Sequence, residues 1–196
     1  GHPEVHRDVA GALWSLAGNQ DNQMTIAQSG GVEPLVNLLK VGSSAAQETA
    51  AGALFALAEA SINRVSIAEA GGISPLVALF ESGSDEAKEQ AAGALQALVM
   101  NNPPNQLSVA QDLVEMLCNG SSSAQEHVTQ LIRNLAKEPE NRGAIAKAGA
   151  VPQLVQQLER GSEKAMVEAA AGLRLIALKS TKHRSNVTQE LVKLLA

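Results

Sequence analysis

Aromatic rings are scarce in this sequence. Of 196 residues one is Trp, two are Phe and none is Tyr, although 45% are hydrophobic. A core drawn from such a chain is a core of small aliphatic side chains. Cysteine is nearly missing as well: Cys118 stands alone, which excludes an internal disulfide framework and fits a reducing compartment. Basic residues are not in excess, since 15 Lys and Arg face 20 Asp and Glu for a net charge of −5. That balance argues against a general phosphate-binding surface and against nucleic acid as a partner. No apolar run reaches the roughly 18 residues a membrane span needs, and no basic leader precedes an apolar stretch. Neither membrane insertion nor secretion is expected, so the Asn119-Gly120-Ser121 and Asn186-Val187-Thr188 sequons read as chance. The expectation is an intracellular protein, cytoplasmic or nuclear.

What the chain does contain is a repeat. Gly31-Val-Glu-Pro-Leu-Val-Asn-Leu-Leu39, Gly72-Ile-Ser-Pro-Leu-Val-Ala-Leu-Phe80 and Gly149-Ala-Val-Pro-Gln-Leu-Val-Gln-Gln-Leu158 share one pattern, with Gln111-Asp-Leu-Val-Glu-Met-Leu117 a shortened copy. The first Leu of each Leu-Val pair falls at Leu35, Leu76, Leu113, Leu154 and Leu191, at spacings of 41, 37, 41 and 37. A second motif, Ala10-Gly-Ala-Leu-Trp-Ser-Leu-Ala17, Ala51-Gly-Ala-Leu-Phe-Ala-Leu-Ala58, Ala92-Gly-Ala-Leu-Gln-Ala-Leu-Val99 and Thr129-Gln-Leu-Ile-Arg-Asn-Leu-Ala136, keeps the same steps. A period of this length marks stacked supersecondary units.

Punctuation divides each repeat into three helices. The first opens at Asn22, Asn63 or Asn141, a residue favoured as N-cap because its side chain accepts a free backbone N–H. It closes at Gly30, Gly71 or Gly149, where a left-handed residue is needed. The second starts close to Pro34, Pro75 or Pro152 and ends near the Gly-Ser pairs at 42–43, 83–84, 120–121 and 161–162. The third is longest, from about Ala45 to Glu59 and its equivalents, with Ala50, Ala53, Leu54 and Leu57 at helical spacing. None of the three buries its apolar face alone, so the units must stack. The predicted fold is all-α, a right-handed α-solenoid.

The string Asn63-x3-Ile-Ala-Glu-Ala-Gly-Gly-Ile-x-Pro-Leu-Val, with third helices of the Ala-Gly-Ala-Leu type, resembles the armadillo repeat. The resemblance spans essentially the whole chain, and its flavour is similar to plant and protist armadillo arrays, including those of plant U-box ubiquitin ligases. The Gly-Gly turn and short first helix favour armadillo over HEAT repeats. The expected organisation is a single array over residues 1–196, with full repeats at 19–60, 61–102, 103–138 and 139–180 and partial ones at 3–18 and 181–196. The first fragment is expected to be a third helix and residues 187–196 a second helix. Such ragged ends suggest a part excised from a longer protein, or an end that pairs with another chain. Where Ala110-Gln-Asp-Leu113 replaces the Ala-Gly-Gly turn, fused first and second helices and a local change of twist are expected.

Residues for chemistry are few. His2 and His6 have the i,i+4 spacing of a metal clamp but lie at the terminus, and no metal or cofactor is expected. Cys118, in the apolar string Met116-Leu-Cys118, is expected to be a small core residue rather than a nucleophile. No phosphate loop, nucleophile elbow or paired metal-ligand spacing occurs, so an enzyme is not expected.

The resemblance implies instead a binding scaffold that takes an extended or helical segment of a protein or peptide on the concave face lined by third helices. At 100° per residue, helical phase puts Trp14, Phe55, Gln96, Arg133 and Arg174 in one column. Glu48, Glu89 and Glu126 make a second, and Gly11, Gly52, Gly93 and Gln130 a third; Ser15 and Asn134 lie on the same face. Trp14 and Phe55 either anchor a partner or pad the seam between third helices. The glycines either let helices pack closely, the simpler reading, or admit a partner backbone. Arg133 and Arg174 either pair with Glu126 and Glu168 or clamp carboxylates and phosphates.

Importin-α-like arrays read basic signals with Trp and Asn at i and i+4. The corresponding positions here are Gly11, Gly52, Gly93 and Gln130, then Ser15, Ala56, Ala97 and Asn134, so that activity does not carry over. A β-catenin-like long basic groove is missing too, because Arg133, Lys137, Lys164 and Arg174 gather at one end. Five third helices about 8–10 Å apart would make a groove of roughly 40 Å. The expected partner has an apolar anchor for the Trp14 and Phe55 end, a basic stretch facing Glu48 and Glu89, and an acidic or phosphorylated stretch facing Arg133 and Arg174. Two alternatives stand beside this: a substrate-recognition or regulatory segment of a larger enzyme such as a U-box ubiquitin ligase or kinase, and self-association through exposed terminal helices.

Overall fold

Small-residue seams and regular punctuation yield thirteen α-helices in the computed structural model, which describes residues 3–178 and 180–194, and no strand among them. The chain divides into two compact units, residues 1–105 and 106–196. The first unit holds α1 (Pro3–Leu16), α2 (Gln20–Gln28), α3 (Val32–Val41), α4 (Ser44–Ala58), α5 (Ser61–Glu69), α6 (Ile73–Ser82) and α7 (Asp85–Val99). The division falls within α8 (Pro103–Asn119). The second unit continues with α9 (Ser122–Ala136), α10 (Pro139–Lys147), α11 (Ala150–Arg160), α12 (Glu163–Ala177) and α13 (Thr181–Lys193).

Third helices form the spine of each unit. In the first, α1 packs on α4 and α4 on α7; in the second, α9 packs on α12. Their starts are fixed by serine. Ser43, Ser84, Ser121 and Ser162 each accept a hydrogen bond from the backbone N–H three residues on, at Ala46, Ala87, Ala124 and Ala165, which satisfies one of the donors a helix leaves open at its N-terminus. The seams are filled by Ala50, Ala53, Leu54, Leu57, Ala94, Leu95 and Leu98 in the first unit and by Val128, Leu131, Leu154 and Ile176 in the second, all buried. Among the described residues Phe80 is the one aromatic ring in the fully buried core. The turn glycines behave as the punctuation predicts: Gly30, Gly71 and Gly149 have φ of 80°, 73° and 91°.

Three expectations need correction. Asn22, Asn63 and Asn141 do not cap the helices they were expected to open. They lie inside the first turn and donate instead, Asn22 to Leu16 O, Asn63 to Leu57 O and Asn141 to Leu135 O. The cap of α2 is Asn19, which accepts from the N–H groups of Asp21 and Asn22. Cys118 is exposed on α8 rather than in the core. The last helix starts at Thr181, not near residue 187. The fused helix, by contrast, is found as expected: α8 runs unbroken through Ala110–Leu113, where the glycine turn is missing.

Candidate functional site

In the first unit the ring and glycine columns meet. Trp14 on α1 lies against Gly52 on α4, where an added Cβ would come within 2.5–2.6 Å of the indole. Phe55 on α4 lies in the same way against Gly93 on α7, at 2.8–3.0 Å. Both rings are half-buried. Helix packing therefore accounts for Gly52 and Gly93, and each ring presents only its outer part to solvent. Around Phe55 opens a cavity of about 620 Å³, lined by Glu59, Arg64, Glu89, Gly93, Gln96 and Met100 among others. Its floor is aromatic and aliphatic, and two carboxylates stand at its margin.

Arg64 shapes one wall, with its N–H groups turned onto backbone carbonyls. Its guanidinium is buried and donates to three carbonyls: Nε to Ala58 O at 2.8 Å, Nη2 to Glu59 O at 3.0 Å and Nη1 to Met100 O at 2.8 Å. These carbonyls end α4 and α7, where helices leave acceptors unpaired. Glu59 in turn accepts from Gln23 Nε2 at 3.1 Å, so its carboxylate is positioned by a buried amide. Glu89 and Gln96 are exposed, and Gln96 Nε2 donates to Ala92 O at 3.3 Å. Glu48 is half-buried and accepts from Ser84 Oγ at 3.0 Å. Ser15 is exposed beside Trp14.

In the second unit the polar column is largely paired within itself. Arg133 Nε meets Glu168 at 2.7 Å and its Nη1 donates to Asn134 Oδ1 at 2.9 Å. Glu126 accepts from Ser162 Oγ at 2.5 Å and pairs with Lys164 at 3.2 Å. The Ser162 hydroxyl first, and then Lys164, hold the Glu126 carboxyl below its ordinary value. Gln130 is half-buried and Arg174 exposed.

Phe55, Glu89 and Gln96, which helical phase sets on one face, line this cavity together with Glu59 and Met100 of the same face, and Arg64 is the wall that phase did not foresee. The signal for Arg64 was present, because Asn-Arg recurs at 63–64 and 141–142; Arg142 donates to Ala136 O and Lys137 O in the same manner. His2, one of the two histidines at i,i+4 spacing, lies outside the described residues, and no group of metal-ligating side chains occurs among those described. No described helix is long and apolar enough to cross a membrane.

Residues 19–58, 61–99 and 138–174, more than half the chain, match the family model described as Armadillo/beta-catenin-like repeat. No curated protein matches in sequence. Among solved structures, an engineered protein is 29% identical with a TM-score of 0.69, covering 96% of this chain and 79% of its own. A second engineered protein is 30% identical with a TM-score of 0.69, covering 96% of this chain and 48% of its own. A designed armadillo repeat protein in complex with the peptide (KR)4 is 23% identical with a TM-score of 0.64, covering 93% of this chain and 80% of its own.

Proposed function

The chain belongs to the Armadillo/beta-catenin-like repeat family, and from that premise we propose that it is a non-enzymatic protein-interaction scaffold whose third-helix face in the first unit takes a segment of another protein. The observation that carries this reading is the cavity between α4 and α7. Phe55 and Met100 offer it apolar area, while Glu59 and Glu89 offer negative charge at its margin. A basic side chain suits both: its methylene stem covers the ring and thioether, and its cationic head reaches the carboxylates. The preferred partner is an extended or helical segment in which a Lys or Arg follows an apolar anchor. A structure of the same fold holding the peptide (KR)4 is in keeping with this.

Peptide arrays probed with the 196-residue chain test it. Segments carrying Lys or Arg beside an apolar residue should be retained, and Glu89→Arg should weaken them about tenfold or more, which corresponds to about 1.4 kcal/mol. Equal retention by wild type and Glu89→Arg rejects the proposal.

A further inference from the structure

Among the described residues that line the Phe55 cavity, three carry charge: the carboxylates of Glu59 and Glu89 and the guanidinium of Arg64. Two negative groups against one positive leave the cavity net negative. One further cation beside it would bring it to balance, and the place for such a cation is held by Gln23. This residue lies on α2, 41 residues before Arg64 on α5, and follows Asn22 as Arg64 follows Asn63 and Arg142 follows Asn141.

The geometry repeats with the sequence. Arg64 Nε donates to Ala58 O at 2.8 Å, and Gln23 Nε2 donates to Ala17 O, one repeat earlier, at 2.9 Å. Arg64 Nη1 then reaches 36 residues ahead to the carbonyl of Met100. Gln23 Nε2 also reaches 36 residues ahead, but to a side chain, the Glu59 carboxylate at 3.1 Å. Gln23 is 3% exposed, whereas Glu59 is exposed. The donor is therefore fixed in the interior, and the carboxylate it holds lines the cavity.

An amide and a guanidinium both donate N–H groups, but the amide is neutral. It orients the Glu59 carboxylate and leaves its charge in force. A guanidinium at position 23 would orient the same carboxylate and offset its charge at close range. Ordering a long side chain at the moment of binding costs affinity; here the folded chain orders Glu59 beforehand.

We propose that Gln23 is the positioning residue that gives the cavity its selectivity for a cationic side chain. This role rests on the reading of the Phe55 cavity as a peptide site, and adds to it a residue outside the lining that sets the sign of its ligand.

Binding of a labelled peptide of alternating Leu and Lys, followed by fluorescence anisotropy at low and at physiological salt, tests the role with two changes at one position. Gln23→Met keeps the volume and removes the donor, while Gln23→Arg restores the Asn-Arg pair found at 63–64 and 141–142; circular dichroism verifies that both remain folded. Gln23→Met should weaken binding about threefold, the cost of ordering one long side chain. Gln23→Arg should weaken it about tenfold or more and flatten its dependence on salt, since the charge that attracts the peptide is offset. Glu59→Gln alone should also weaken binding, and Gln23→Met added to it should cost nothing further, a coupling that a merely structural role would not produce. Two results overturn the role of Gln23 and leave the peptide site standing: both Gln23 variants binding as wild type does while Glu89→Arg weakens, or Gln23→Met costing as much beside Glu59→Gln as alone. Equal retention of the peptide by wild type and Glu89→Arg removes the peptide site, and this role with it.

Discussion

A single methyl group at Gly52 sets two opposing quantities against each other. In a helix interior Ala is favoured over Gly by about 1 kcal/mol. At this position the new Cβ would lie 2.5 Å from the Trp14 indole, and overpacking costs about 1–3 kcal/mol. Gly52→Ala should therefore destabilise by about 1 kcal/mol in the wild type, yet stabilise by about 1 kcal/mol in a Trp14→Ala background. Urea denaturation of the four chains in this cycle measures both values. Stabilisation in both backgrounds would show that the ring does not rest on the glycine. The columns themselves were legible from helical phase, but their meeting was not. Phase gives which residues share a face of one helix, whereas Trp14 above Gly52 depends on the register between neighbouring helices. That register also explains the shortage of rings, since each ring on the spine needs a residue without a side chain opposite it.

At the scale of elements, helix ends were easier to read than the side chains that tie them together. Gly30, Gly71 and Gly149 mark turns that only a left-handed residue makes, and Ser43, Ser84, Ser121 and Ser162 mark caps, so the borders follow from local chemistry. Asn63 near a helix start is compatible with two local roles. It can accept from its own helix or donate to the helix before, and only the arrival of Leu57 O decides. Cys118 misled for a simpler reason. A helix turns about 100° per residue, so Leu117 faces the core and its neighbour Cys118 faces out.

Arg64 was the least legible, because a charged residue is ordinarily read as solvated. It closes α4 and α7 through three charge-assisted bonds, each of a kind worth about 1.5–3 kcal/mol. With part of that returned by water reaching the freed carbonyls, Arg64→Met should cost about 3 kcal/mol. Arg64→Lys should recover less than half, since an ammonium lacks the planar fork. Denaturation midpoints of the three chains decide, and a Met variant within about 0.5 kcal/mol of wild type, the range of ordinary surface changes, would deny the clasp its role.

For the molecule as a whole, stability is a sum over neighbouring repeats, and part of the acidic column contributes to that sum rather than to binding. Glu48, Glu89 and Glu126 were legible as one column. The Gly-Ser pairs put a capping hydroxyl within reach of Glu48 and Glu126 from the next third helix, at Ser84 and Ser162, and Glu89 lines the cavity. The consequence appears on acidification. Ser162 and Lys164 hold the Glu126 carboxyl below its ordinary value, so on lowering the pH the unfolded chain takes up this proton before the native one does. The contribution is complete above the unfolded value of about 4.3 and is lost as pH falls through the lower native value. Wild type should exceed Glu126→Gln in melting temperature by a constant margin from about pH 7 to about pH 5, a margin that narrows below about 4.3 and closes in stronger acid. Added salt should trim it only partly, because salt screens Lys164 and leaves the Ser162 hydrogen bond in place. Thermal melts at stepped pH read this directly, and a margin that persists undiminished into strong acid would mean that the native state does not favour the Glu126 carboxylate.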